Sequence, residues 1–252
     1  MSPADLALVF LACLAAGLAN ALAGGGTFFS FPAMLAVGLP PTVANATSSA
    51  ALMPGYAASM IAQWHLGAGT AVREGRFLIP LAGGLTGALL LLLTSDRAFV
   101  LIVPWLLLTG TLIFIFSRAV GGGLRRLLPA RAHAGLARLM EYLFSVYGGY
   151  FGAGVGVLLM AVHVAFDRHD VRTANMLKNV ASTFISITAV TTFLVAGKVH
   201  PAAALAGISG ALPGGWLGGR LVGRMPANIL RAIIGTLAVL ITLWYFARAY
   251  WL

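Results

Sequence analysis

Between Asp5 and Arg73 the chain contains no aspartate, glutamate, lysine or arginine. No water-facing surface is built from so long an uncharged stretch, so this part must lie largely in hydrocarbon. Soluble domains carry roughly 25% charged residues; here 9% of 252 residues are charged and 60% are hydrophobic. Apolar runs of about 20 residues cross a bilayer. Candidate spans are residues 6–23, 43–66, 76–94, 98–117, 139–160, 173–196, 201–219 and 228–247. The expected fold is an all-α polytopic membrane protein, its backbone polar groups satisfied within helices.

The chain also contains itself twice. Gly24, Gly26, Ala44, Asn45 and Gly67 recur 130 residues later as Gly154, Gly156, Ala174, Asn175 and Gly197. One residue out of that register, Gly83, Gly84 and Gly87 recur as Gly214, Gly215 and Gly218. Each copy opens with an apolar run, a glycine-rich break and a shorter apolar run. In the first copy the break is Gly24-Gly25-Gly26, followed by Thr27 to Val37, too short to span. In the second it falls around Gly148-Gly149, Gly152, Gly154 and Gly156. Residues 1–117 form the first transmembrane repeat, 118–138 an arginine-rich connector and 139–252 the second repeat. Interrupted hydrophobic segments at matching positions of duplicated halves point to a transporter with its site at the breaks.

The net charge of +10 does not imply nucleic acid. Arg118, Arg125, Arg126, Arg131 and Arg138 sit in the connector without interleaved aromatics, the pattern of a cytoplasmic loop. With that connector inside, inverted halves place eleven countable basic residues inside and three outside, against nine and five for parallel halves. The distribution favours inversion. Cys13 is the only cysteine, so no disulfide framework is expected. No HExxH and no GxxxxGK[ST] occurs, so neither a metal site nor P-loop ATP hydrolysis is expected, and no cofactor is implied. The N-terminus lacks the basic segment of a cleaved signal peptide.

Three consecutive glycines end a helix, since each costs about 1 kcal/mol relative to alanine. A helix restarting at Thr27 aims N–H groups and a partial positive charge at one point, which suits an anion. The alternative is close helix packing through small residues. Asn45, Thr47 and Ser48 in the first half correspond to Asn175, Leu177 and Lys178 in the second. These polar groups fall in the first turns of apolar spans, where Asn45 and Thr47 are suited to cap or to bond a neighbour. Lys178 makes the halves chemically unequal. Three roles are open to it: counter-charge to an anion, proton-linked group, or a lysine snorkelling to headgroups. His163 is a candidate proton relay, or a satisfied interior residue. Pro54, Pro80, Pro104 and Pro213 are kink or hinge candidates. No carboxylate lies deep within a span, so an anionic substrate fits the charge pattern better than a cation.

The stretch from Gly17 through Gly24-Gly25-Gly26-Thr27 to Pro32, then Gly38-Leu39-Pro40-Pro41 and Ala44 to Ser48, resembles the TauE/SafE sulfite-exporter family. Gly148 to Gly156, through to Ala174-Asn175, is similar to that family's second signature. The resemblance implies a multi-pass secondary carrier of the bacterial inner membrane, exporting sulfite, an organosulfonate or a related anion. Val155 departs from it by interrupting what is an unbroken glycine triplet in the first copy. The expected site comprises Gly24, Gly25, Gly26, Thr27, Asn45, Thr47, Ser48, Gly154, Gly156, Asn175 and Lys178. Expected partners are the small anion and membrane lipids, with no nucleic acid; the oligomeric state is not indicated. A passive anion channel and an intramembrane enzyme acting on a lipid-soluble substrate are the alternatives.

Overall fold

The computed structural model describes residues 1–22, 24–127, 130–165, 171–221 and 227–250. Among them are eleven α-helices and no strand: α1 (Pro3–Leu22), α2 (Thr27–Ala36), α3 (Pro41–Ala62), α4 (Ala68–Arg73), α5 (Leu78–Leu92), α6 (Asp96–Leu127), α7 (Ala130–Tyr150), α8 (Val155–Ala165), α9 (Val171–Val195), α10 (Pro201–Leu221) and α11 (Ala227–Tyr250). The chain is an all-α membrane protein. Pro3–Leu22 and Arg172–Val195 are long and apolar enough to cross a bilayer. Elsewhere Leu89, Trp105, Leu205 and Leu243 turn outward from the bundle, as lipid-facing residues do. Asp167, Arg168, His169, Asp170, Arg224 and Leu252 lie outside the described residues.

Local chemistry explains the boundaries. Ser2 and Asp5 exchange bonds, Ser2 N to Asp5 Oδ2 at 2.7 Å and Asp5 N to Ser2 Oγ at 3.2 Å, a capping box opening α1. Proline takes the first position of α3 and α10, where its missing N–H costs nothing. α1 ends where the Gly24 N–H reaches back to Ala19 O at 3.0 Å, and α7 where Gly152 N–H reaches Tyr147 O at 3.1 Å. Both glycines have left-handed backbone, φ 83° and 81°, which closes a helix without a Cβ penalty. The second break is thus narrower than its glycines suggest. Gly148 and Gly149 belong to α7 and Gly156 to α8, leaving 151–154 as the interruption. The connector is helical over 118–127 and 130–138, extending α6 and α7. Pro54, Pro104 and Pro213 lie inside helices, whereas Pro80 sits in the first turn of α5, where no helical bond is lost.

Packing exchanges partners between halves. α1 runs along α10, and α7 along α5. Glycine sets the approach: a Cβ on Gly210 would strike Phe10 O, and one on Gly214 would strike Leu14 O. In the other pair, a Cβ on Gly87 would strike Val146 O. The middle glycine of each recurrent group faces a third helix, Gly215 against Gly55 of α3 and Gly84 against Ile185 of α9. The register along these contacts makes α1, α3 and α10 mutually parallel.

Two other pairs run antiparallel. Gln63, just beyond α3, meets Asn175 near the start of α9, while Ala50 early in α3 packs with Val190 late in α9. Likewise Tyr250 bonds Leu101 O, and Thr111 bonds Thr242, along α6 and α11. At one end of the bundle, Thr42 donates its N–H (2.9 Å) and hydroxyl (2.7 Å) to Asp96, joining the starts of α3 and α6. Burial alone would raise the Asp96 carboxyl, but these bonds, with Lys198 nearby, hold it below its ordinary 3.8. At the opposite end, Ala68 and Ala71 of α4 pack on Met176. α1 starts at the Asp96 end, reaches toward the α4 end, and α2 returns the chain to the start of α3.

Candidate substrate site where the broken helices meet

The two breaks touch. A Cβ on Gly24 would lie 3.1 Å from Gly156 Cα, and one on Gly156 3.0 Å from Gly24 Cα. Only residues without side chains allow backbone from each half to approach so closely. Beside this contact lies a cavity of about 20 Å³, room for about one water. Its wall draws on α2, α3, α7, α8 and α9 and on the second break. The polar groups it presents are the hydroxyls of Thr27, Ser49, Tyr56, Ser182 and Ser186. Ser182 is 2% exposed, and its Oγ has no hydrogen-bond partner among the described residues.

Two helices begin at this cavity. Thr27, first residue of α2, and Val155, first residue of α8, both line it. Each helix start carries roughly half a positive charge, so the two starts favour negative charge between them, although the N–H groups of Phe28, Phe29, Val155 and Val157 already bond carbonyls of the breaks. Phe151, also on the wall, packs edge-on against Phe31 of α2 at 5.3 Å between ring centroids. The aromatic contact carries the first half's short helix onto the second half's break.

The carbonyl ends of the broken helices are held by the other half. Asn45 of α3 donates Nδ2 to Tyr150 O at the end of α7, 2.8 Å away. Its counterpart Asn175 of α9 donates to Ala21 O at the end of α1, at 3.1 Å. Lys178 reaches the same helix end, Nζ to Asn20 O at 2.6 Å and to Ala21 O at 3.4 Å. It is fully buried, so its ammonium turns inward and not toward headgroups. A cation there complements the negative end of the helix dipole.

The expected residues therefore divide by task. Thr27 lines the cavity; Gly24, Gly25 and Gly154 take positive φ at the breaks, 83°, 90° and 77°. The N–H of Gly26 bonds Asn20 Oδ1 at 2.6 Å. Thr47 accepts the N–H of His200 at 2.9 Å, and Ser48 pairs with Ser30 of α2 at 2.6 Å, so both tie α3 to neighbours. His163 is buried in the last turn of α8. Sequence reasoning missed Ser49, Tyr56, Ser182 and Ser186. The signal available was the polar spacing Lys178, Ser182, Ser186, four apart along one face of an otherwise apolar span.

A model of the sulfite exporter TauE/SafE family matches residues 9–245, nearly the whole chain. The chain belongs to the TauE/SafE family. Among curated proteins, it is 24% identical over 239 residues to a probable membrane transporter protein of Haemophilus influenzae, covering 94% of this chain and 92% of that one. It is 24% identical over 237 residues to the probable membrane transporter protein YfcA of Escherichia coli, covering 93% and 87%. A probable membrane transporter protein ORF9 of a Sinorhizobium species is 28% identical over 158 residues, covering 62% and 59%. No solved structure matches. The glycine breaks and the cavity between them thus lie within the part of this TauE/SafE chain that the family match spans.

Proposed function

We propose that this chain is a secondary carrier that exports a small sulfur-containing anion, sulfite or an organosulfonate, across the bacterial inner membrane. One observation carries the reading: a hydroxyl-lined cavity lies where a broken helix from each half meets the other, with α2 and α8 starting at its wall. Hydroxyl donors replace the anion's water, and the helix starts supply positive potential without a salt bridge. Thr27, Tyr56, Ser182, Ser186 and the break glycines make the contacts; Asn45, Asn175 and Lys178 hold the helix ends that shape them.

The two halves are read as inverted repeats. The antiparallel courses of α3 against α9 and α6 against α11 support this, as does the entry and return of α1 and α2. Alternating access is then a rocking of one half against the other about the breaks. A negative cell interior offers about 2.3 kcal/mol per charge per 100 mV to an anion leaving it.

Purified protein in liposomes tests the reading with sulfite, thiosulfate, methanesulfonate and a carboxylate control. Saturable uptake of a sulfur anion, with counterflow, is expected. Unitary currents without counterflow indicate a channel, and chemical change of the substrate indicates an enzyme; either result overturns the carrier.

A further inference from the structure

The Lys178 amine has no exposed surface, and no carboxylate lies deep within the apolar spans to pair with it. Its ammonium rests on Asn20 O and Ala21 O, the end of α1, whose dipole supplies roughly half a negative charge. A protonated amine there is only partly compensated by the helix end. The rest of the side chain packs against Gly156, one residue from the cavity wall. A Cβ on Gly156 would meet Lys178 Cδ at 3.1 Å, and the neighbouring Val155 lines the wall. Ser182, whose unpartnered hydroxyl also lines it, lies one turn further along the same face of α9, about 6 Å by helical rise.

We propose that Lys178 is a latch. Its ammonium holds the end of α1 through Asn20 O; an anion entering the cavity draws the ammonium over and leaves that end on Asn175 alone. The anion step rests on the carrier reading, whereas the hold on α1 does not. The device exists in one half alone. At the equivalent position Ser48 bonds Ser30, and the end of α7 is held through Asn45. An unequal pair of halves gives the cycle a defined order, because α1 is loosened by substrate and α7 is not.

Cys13, the single cysteine, reports on α1 directly. It is buried where α1 packs on α10, and a Cβ on Gly207 would lie 3.0 Å from its Sγ. The experiment is the labelling rate of Cys13 by a membrane-permeant maleimide in full-length protein in liposomes, with methanesulfonate as the anion probe. Slow labelling is expected without anion, and roughly ten- to hundredfold faster labelling with it, the range implied by loss of one charged hydrogen bond. Lys178→Met should label fast in both conditions, and Lys178→Arg should stay slow without anion. If Lys178→Met does not accumulate, Lys178→Gln, which keeps a donor without the charge, replaces it.

Labelling of the uncharged variant at the parent's anion-free rate overturns the latch, even if its flux is lost; Lys178 is then a plain substrate ligand. Methanesulfonate flux without any change in the parent's labelling overturns the anion step. If no anion of the panel moves through the parent while the uncharged variant labels fast, the carrier reading fails and the hold on α1 stands.

Discussion

Asn45 and Asn175 show how much a single residue type settles when it stands at matching positions. Each carboxamide sits in its own half and donates to the last carbonyls of the other half's first helix. In both, the Oδ1 has no partner among the described residues, so the donor alone carries the contact. A buried carbonyl stripped of its donor costs about 1–3 kcal/mol. Ala21 O retains Lys178 when Asn175 is removed, whereas no side chain stands in for Asn45 at the equivalent position. Asn45→Ala should therefore lower the unfolding temperature in detergent more than Asn175→Ala does. Equal losses, or a larger loss at Asn175, would contradict the assignment. The recurrence of Asn was legible in sequence; its acceptor was not, because that acceptor lies 105 residues away in the case of Asn45.

At the scale of elements, glycine decides how close the helices come. Gly87 and Gly214 each take the backbone of the first helix of the opposite half into the space a side chain would occupy. Lipid gives apolar helices no hydrophobic reason to associate, so close backbone contact and van der Waals packing do that work. Gly87→Leu and Gly214→Leu should both abolish the monodisperse folded fraction on size-exclusion chromatography. Gly135, with nothing within 4 Å of a built Cβ, should tolerate leucine. A normal elution profile for either interface variant would remove these glycines from the packing account. Sequence spacing marked the recurrence of these residues, and of the two readings offered for the break glycines the fold shows close packing. Gly24 and Gly156 meet across the halves, while Thr27 and Gly152 open onto the cavity.

For the whole molecule, the inverted reading proposed above places corresponding loops at opposite ends. Glu74 follows α4 at one end of the bundle, and Lys198 follows α9 at the end where α6 begins. In a Cys13→Ser background, Glu74→Cys should react only with a reagent presented from the cytoplasm, and Lys198→Cys only from the periplasm. Reaction of both from one side would sink the inverted arrangement and leave parallel halves.

Hydropathy and the glycine clusters determined by themselves that the chain is helical, membrane-bound and interrupted twice. Those properties are local: twenty apolar residues bury their own backbone polar groups, and three glycines end a helix whatever surrounds them. Tertiary structure alone decided that the interruptions touch and that the hydroxyls of Ser182 and Ser186 share a wall with Thr27. It also decided that Lys178 points at the end of α1 and not at lipid. A side chain's direction on a helix follows from its number, but what it meets depends on which helices are neighbours. Here the neighbours are exchanged between halves, which no spacing within one half can reveal.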